Sequence, residues 1–171
     1  MKRFLLITLF AVSSVGLAQA QQATGPAAER DKEQLSKMEQ EKVQALLSTT
    51  SGNNYSADWF NRVATDGIAL QNSDGSLSTK AQLLTELRSG DRKVYYLNQH
   101  DQHVHVFGKE GNGTLGVVNY IDDRIVELKG RLSHDSDTIA DVYVMEDGLW
   151  RMVSHSEIPL HRNIKAMLPT Q

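Results

Sequence analysis

Apolar residues recur at helical spacing in the first half of the chain. Between residues 29 and 47 there is no Gly or Pro, and one face carries Leu35, Met38, Lys42, Ala45 and Leu46. A second, short helix is predicted in SADWFNRVA, with Ser56 as its N-cap. The clearest helix lies in STKAQLLTELRSG, where Thr79 and Gln82 form a capping box and Gly90 follows the last turn. Three helices are therefore predicted.

After Gly90 the spacing changes, and apolar residues alternate with polar ones. This period of two predicts five strands, at 95–107, 114–120, 124–133, 138–145 and 150–155. Turn residues separate them at 109–113 (KEGNG), 134–137 (HDSD) and 146–148 (EDG). A brief earlier strand precedes the turn at Asp74-Gly75. Helices followed by hairpin-connected strands are typical of the α+β class with an antiparallel sheet.

The first twenty residues have the layout of a secretory signal peptide. Lys2 and Arg3 precede an apolar run, and Ala18-Gln19-Ala20 matches a cleavage site. The run is shorter than the roughly 20 residues that a membrane-spanning helix needs. We expect cleavage after Ala20 and export to the periplasm or the medium. The rest of the chain then divides into a disordered lead (21–28), one α+β domain (29–158) and a C-terminal tail (159–171).

Composition narrows the classes of function. The chain has no Cys, so an exported domain would use no disulfide. Loss of Lys2 and Arg3 with the signal leaves 16 basic against 21 acidic residues, a net charge of −5. This acidic balance, without a basic patch, argues against a nucleic-acid partner. No later segment is apolar enough to span a membrane.

Two stretches, placed in this order, give the chain a family resemblance. They are DGSLSTKAQLLTELRSG and the closing hairpin DVYVMEDGLWRMVSHS. The chain resembles SnoaL-like members of the nuclear-transport-factor-2-like superfamily, in particular a secreted bacterial group that forms a domain of unknown function. The similarity runs from about residue 33 to residue 157.

The resemblance implies a cone, in which N-terminal helices pack in the concave face of a curved antiparallel sheet, as in ketosteroid isomerase. Relatives enclose an apolar pocket at the open end of this cone, and many form homodimers. Some are isomerases, cyclases or dehydratases that need no cofactor, whereas others only bind or associate. Fold does not decide between these functions.

The residues that an isomerase of this fold would need do not carry over. With Asp66 at the start of the first strand, the position of the base falls on Gln71, whose amide cannot take a proton. Thr138 lies near the position of the acid that stabilises the oxyanion. Asp74 is a candidate for a substitute base, but it lies in SDGS, which is the signature of a solvated turn.

The histidine-rich stretch HDQHVH (100–105) raises the possibility of a metal site. His103 and His105 share one strand face, whereas His100 is out of phase with them. Zinc requires a third ligand, and the stretch itself does not provide a clear one. We therefore favour a half-solvated outer face, with Val104 and Val106 directed to the helices, and predict no metal.

His155 is the main candidate for handling a proton or orienting a ligand, and the alternative is a structural histidine that bonds to a backbone carbonyl near the end of the sheet. Strand alternation predicts that Arg151 and Val153 share its face. The amphipathic rings of Trp59 and Tyr120 make them candidate pocket walls, although burial in the core is the commoner state of such rings. Asp66 and Asp141 are the candidate carboxylates, although Asp141 also suits an ion pair with Arg131 or Arg151.

The sequence thus predicts an exported domain that binds a small apolar or amphipathic molecule without a cofactor. A cofactor-independent enzyme that uses His155 is the first alternative. The second is a protein-association module that uses the outer face of the sheet.

Overall fold

The computed structural model describes residues 22–109 and 112–165. The elements in chain order are α1 (Pro26–Leu47), a 3-10 turn (Ser48–Ser51), α2 (Tyr55–Val63), β1 (Ala64–Gln71), β2 (Leu77–Ser78), α3 (Lys80–Ser89), β3 (Arg92–Lys109), β4 (Asn112–Leu128), β5 (Arg131–Glu146) and β6 (Leu149–Lys165). The predicted signal peptide, residues 1–20, lies outside the described residues. Among the residues that are described, no helix is long and apolar enough to cross a membrane.

Local chemistry sets the helix ends. Helix α3 begins with the predicted capping box, because the Thr79 hydroxyl accepts from the Gln82 amide at 3.2 Å and the Gln82 side chain accepts from the Thr79 amide at 2.8 Å. It ends at Gly90, whose φ of 75° is left-handed. The predicted N-cap of α2 is wrong: Asn54 occupies that position, and Ser56 lies buried inside the first turn.

The six strands form one curved sheet in the order β2-β1-β6-β5-β4-β3, with the helices packed against it. Strands β3 to β6 are antiparallel, as predicted, whereas β1 joins the edge of β6 in parallel. Irregular register within β3, near Val94 and between His100 and His103, gives the extra bending that bulges produce. The α+β cone predicted from the sequence is confirmed.

One predicted turn is wrong. The segment 134–137 lies inside β5, and the hairpin turn between β4 and β5 is Lys129-Gly130, with φ values of 51° and 76°. Two consecutive positive φ values define the tight turn that matches strand twist. The turn at Asp147-Gly148, with φ values of 52° and 77°, is the one predicted at EDG. The polar residues of HDSD suggested a turn, but Asp135 and Asp137 are buried residues of a strand.

Both ends of the domain extend further than predicted. Ala23 donates a backbone hydrogen bond of 2.8 Å to Val106, and Ala28 is buried, so the predicted disorder of residues 21–28 is wrong for residues 22–28. The predicted tail, 159–171, contributes residues 159–165 to β6, paired with β5. Residues 166–171 lie outside the described part.

The core lies between the helices and the inner face of the sheet. Its fully buried side chains include Leu35, Trp59, Val106, Val118, Ile139 and Met152. Leu35 packs so closely on β4 that a Cβ on Gly116 would lie 2.5 Å from its Cδ1. This contact explains a glycine in the middle of a central strand.

Candidate functional site

An inner cavity of about 90 Å³ lies between the three helices and strands β1, β4 and β6. Its apolar wall is formed by Leu46, Phe60, Leu70, Leu83 and Leu87. Its polar lining includes Lys42, Tyr120, Asp122, Arg124, His155 and Glu157. An outer cleft of about 380 Å³ adjoins it, with Asn72, Glu86, Arg92, Arg124 and Glu157 common to both.

Lys42 of α1 forms the centre of a buried ion-pair network. Its ammonium group contacts Asp141 of β5 and lies 2.6 Å from Glu39 Oε2, one helical turn away. The Tyr120 hydroxyl donates to the Asp141 carboxylate at 2.9 Å. The Tyr143 hydroxyl donates to Glu39 Oε1 at 2.5 Å. The network therefore ties α1 to the middle of the sheet through charged side chains, in addition to the apolar packing of Leu35.

Burial and pairing shift the pKa values of these groups in opposite directions. Burial raises the pKa of Glu39 to about 7, although Lys42 opposes the shift. Burial also acts to raise the pKa of Asp141, but Lys42 and His155 outweigh it and hold that pKa well below its usual range. Asp141 is thus the permanent counter-charge of Lys42.

His155 lies half-buried between two carboxylates. Its Nδ1 is 2.6 Å from Asp141 Oδ1, and its Nε2 is 3.3 Å from Glu157 Oε1. Burial acts to lower its pKa, but Asp141 and Glu157 outweigh burial and raise the pKa to about 9. The ring is therefore an imidazolium at neutral pH.

Arg124 of β4 is paired with carboxylates of two neighbouring strands. Its guanidinium contacts Glu157 with two hydrogen bonds, of 3.0 and 2.8 Å, and also contacts Asp137. Burial acts to raise the pKa of Glu157, but His155 and Arg124 hold it well below its usual range. Every one of these cations therefore has an ionised partner.

The structure brings only part of the predicted pocket together. Tyr120 and His155 line the inner cavity. Trp59 is completely buried and packs edge-on against Phe60 with ring centroids 4.9 Å apart, outside the lining. Arg151 donates to the backbone carbonyl of Arg62 and lies in a separate cleft.

A bulge explains why Arg151, Val153 and His155 do not share a face. Strand β6 has one extra residue here, because Val142 pairs with Ser154 whereas Tyr143 pairs with Met152. The inward positions therefore change from Trp150 and Met152 before the bulge to His155 after it. Simple alternation does not anticipate this change.

The three candidate catalytic residues are also divided. His155 and Asp141 are in contact, whereas Asp66 is exposed and lies 3.1 Å from Lys80, away from the cavity. The expected partners of Asp141, Arg131 and Arg151, are replaced by Lys42 and His155.

The histidine-rich strand has the predicted orientation. Val106 is buried and Val104 packs against the core, while His103 is exposed and His105 stacks on Phe107. Hydrogen bonds to Asp101 and Asp123 raise the pKa of His100. Within the described residues, no three His, Asp or Glu side chains form a group that could hold a metal ion.

Sequence reasoning missed Glu39, Asp122, Arg124, Asp137 and Glu157. The usable signal was the period of two, since Asp122 and Arg124 alternate in phase with Val118, Tyr120 and Val126. Charged residues in phase with inward apolar residues indicate a polar cavity lining rather than a solvated face. Glu39 lay one turn from Lys42 on the same buried helix face.

No protein-family model and no curated protein matches the chain. Solved structures do match. A nuclear-transport-factor-2-like protein from Cytophaga hutchinsonii has a TM-score of 0.65 at 13% identity, covering 75% of this chain and 97% of its own. A protein from Exiguobacterium sibiricum, proposed to be a calcium/calmodulin-dependent kinase II association domain, has a TM-score of 0.65 at 14% identity, covering 81% and 98%.

A protein from Novosphingobium aromaticivorans, proposed to be a scytalone dehydratase, has a TM-score of 0.63 at 9% identity, covering 83% of this chain and 92% of its own. The chain thus has the nuclear-transport-factor-2-like fold, and the resemblance seen in the sequence is confirmed at that level. Because one of these neighbours is a proposed association domain and another a proposed dehydratase, the fold leaves the function to be argued from the site.

Proposed function

We propose that the protein is an exported domain that binds a small amphipathic molecule in the inner cavity. The observation that carries this proposal is the mixed lining. Five apolar side chains from α1, α2, β1 and α3 line the same cavity as ionisable groups of α1, α3, β4 and β6. An apolar wall with a few convergent polar groups is the usual composition of a small-molecule site.

The size of the cavity limits the ligand. A protein cavity of about 150 Å³ accommodates benzene, so a cavity of 90 Å³ suits a smaller apolar group such as the isopropyl end of an isobutyl chain. The adjoining outer cleft, at 380 Å³, falls in the range of ordinary ligand sites and gives room for a longer molecule.

The test is binding of isobutanol, detected by ligand-observed NMR, with and without a side chain that fills the cavity. Leu83 lines the cavity and is only half-buried, so Leu83→Trp places bulk in the site at little expected cost in folding. Ala81→Trp adds the same ring at an exposed position of the same helix. We expect binding to the wild type and to Ala81→Trp and none to Leu83→Trp. Equal binding to all three proteins would place the site elsewhere.

The Asp141–His155 pair favours an enzyme as the second candidate function. An imidazolium oriented by a buried carboxylate at a cavity wall is a competent general acid. Isomerases, cyclases and dehydratases all depend on proton transfer, so deuterium exchange next to the carbonyl of a small ketone is a direct assay. We expect faster exchange with the wild type than with His155→Gln if the cavity is catalytic. Identical exchange rates with the wild type and with His155→Gln would contradict catalysis and leave ligand binding as the proposed function.

Export and self-association complete the proposal. The layout of residues 1–20 supports export. Self-association is supported by the structural likeness to a proposed association domain and by exposed large apolar side chains such as Tyr95, Tyr96 and Ile158. Analytical ultracentrifugation of the mature chain tests it, and a monomer at micromolar concentration would contradict it.

A further inference from the structure

Asp122 differs from the other acidic residues of the inner cavity. Glu157 is paired with Arg124, and Glu86 contacts Arg92. Asp122 is 4% exposed, yet its carboxylate makes no hydrogen bond with the part of the chain that the structure describes. Its nearest cation, Arg124 Nη1, is 3.8 Å from Oδ2, beyond hydrogen-bonding distance.

A buried carboxylate without hydrogen bonds is costly, and native proteins retain few of them. The cations around Asp122 are already neutralised by other residues. Lys42 is held by Asp141, Arg124 by Asp137 and Glu157, and His155 by Asp141 and Glu157. The lining therefore has one acidic group left to be matched, and its complement is a donor.

We propose that Asp122 accepts a hydrogen bond from the ligand, and that the inner cavity therefore selects small molecules carrying an ammonium or hydroxyl group on an apolar body. This inference rests on the proposed function and deepens it, because it names the chemical class of ligand. It also excludes a class: a carboxylate or phosphate would meet Asp122 with a like charge and find no unpaired cation among the lining residues.

Three probes of matched shape distinguish the possible ligand groups: isobutylamine, isobutanol and isobutyrate. Their affinities are measured by NMR titration at pH 7.5 against the wild type, Asp122→Asn and Asp58→Asn. The last variant is the control, because Asp58 is exposed on α2, is absent from the cavity lining, and its loss changes the net charge equally.

We expect isobutylamine to bind tightest and isobutyrate not at all. Asp122→Asn should weaken isobutylamine about tenfold to a hundredfold, the range for one hydrogen bond to a charged group, whereas Asp58→Asn should not. The affinity for isobutanol should fall less in Asp122→Asn, because the Asn amide oxygen still accepts a hydrogen bond from a hydroxyl group.

The outcomes separate this inference from the proposed function. Equal binding of all three probes, or isobutylamine binding that survives Asp122→Asn, overturns the inference and leaves a cavity that binds small molecules. Binding of no probe to the wild type, at the highest soluble concentration, overturns both.

Stability gives a second, independent readout. Burial raises the pKa of Asp122 to about 6, although Arg124 and Lys42 oppose the shift. Because the folded pKa is raised, the penalty for the ionised carboxylate is complete above pH 6 in the ligand-free protein, and it fades as the pH falls from 6 towards the ordinary value of 3.8. Asp122→Asn should therefore raise the melting temperature at pH 7.5 but not near pH 4. Glu157 and His155 also face Asp122, so both must be intact in this comparison. A lower melting temperature at pH 7.5 would show that Asp122 is structural and overturn the inference.

Discussion

Replacing Lys42 with methionine tests whether the buried ion pairs hold α1 on the sheet. The Lys42 side chain is 2% exposed, and its partners Glu39 and Asp141 are fully buried. Removing one member of a buried pair usually costs about 3–5 kcal/mol, because the remaining charge stays desolvated. Methionine preserves most of the volume, so little of the cost arises from a cavity.

The structure places the expected cost at the lower end of that range. Glu39, with a pKa of about 7, can take up a proton once the ammonium is gone. Asp141 retains His155 at 2.6 Å and the Tyr120 hydroxyl at 2.9 Å. We therefore expect Lys42→Met to lower the free energy of unfolding by about 3 kcal/mol at pH 7. This is a large share of the roughly 5–15 kcal/mol that stabilises a domain.

Urea unfolding followed by circular dichroism measures the change. Lys37→Met is the control, because Lys37 is exposed on the same helix and its loss should cost less than about 0.5 kcal/mol. The double variant Lys42→Met/Asp141→Asn should be more stable than the sum of the single losses predicts, since the two groups are in contact. A loss below about 1 kcal/mol in Lys42→Met would show that the buried ion pairs do not hold α1 on the sheet.

Three further predictions concern other parts of the chain. The His155 ring should titrate near pH 9 in an NMR experiment. Since its folded pKa is raised, the stabilisation that it contributes is complete below about pH 6.5 and is lost as the pH rises through 9. A ring that titrates near 6.5 would contradict its contacts with both carboxylates. Gly116→Ala should lower the free energy of unfolding by about 1–3 kcal/mol in urea, because its Cβ would overlap Leu35, and an unchanged midpoint would show that Leu35 moves aside freely. N-terminal sequencing of the exported protein should begin at Gln21, and recovery of Met1 would oppose signal cleavage.

Helix ends and turns could be predicted from the sequence where neighbouring residues determine them. The capping box at Thr79 and the turn at Asp147-Gly148 depend on neighbouring residues only, and both are present. The parallel pairing of β1 with β6 depends on contacts between residues about 85 positions apart, for example Leu70 with His155. The turn misplaced at 134–137 shows the same limit, because this segment belongs to β5 through its pairing with two other strands, for example Asp137 with Asp122 of β4 and with Pro159 of β6.

The site was predictable only in part for a similar reason. His155 and Tyr120 were identified from their residue types, and they do line the cavity. Arg151 and Val153 were not separable from His155, because the bulge that divides them is set by pairing with β5. Asp122 and Arg124 alternate in phase with the inward apolar residues of β4, and this phase indicates that they point inward. The partners that surround them are supplied by α1, β5 and β6 and cannot be identified from the sequence of β4 alone.

Methyl NMR of the leucine side chains during a titration with isobutylamine shows whether a ligand enters the inner cavity. We expect saturable shifts for the methyl groups of the leucines that line the cavity, Leu46, Leu70, Leu83 and Leu87. The methyl groups of Leu77 and Leu149, which are exposed outside the inner cavity, should not move. Shifts confined to the exposed leucines, or no saturable shift at all, would contradict a ligand site inside the cone.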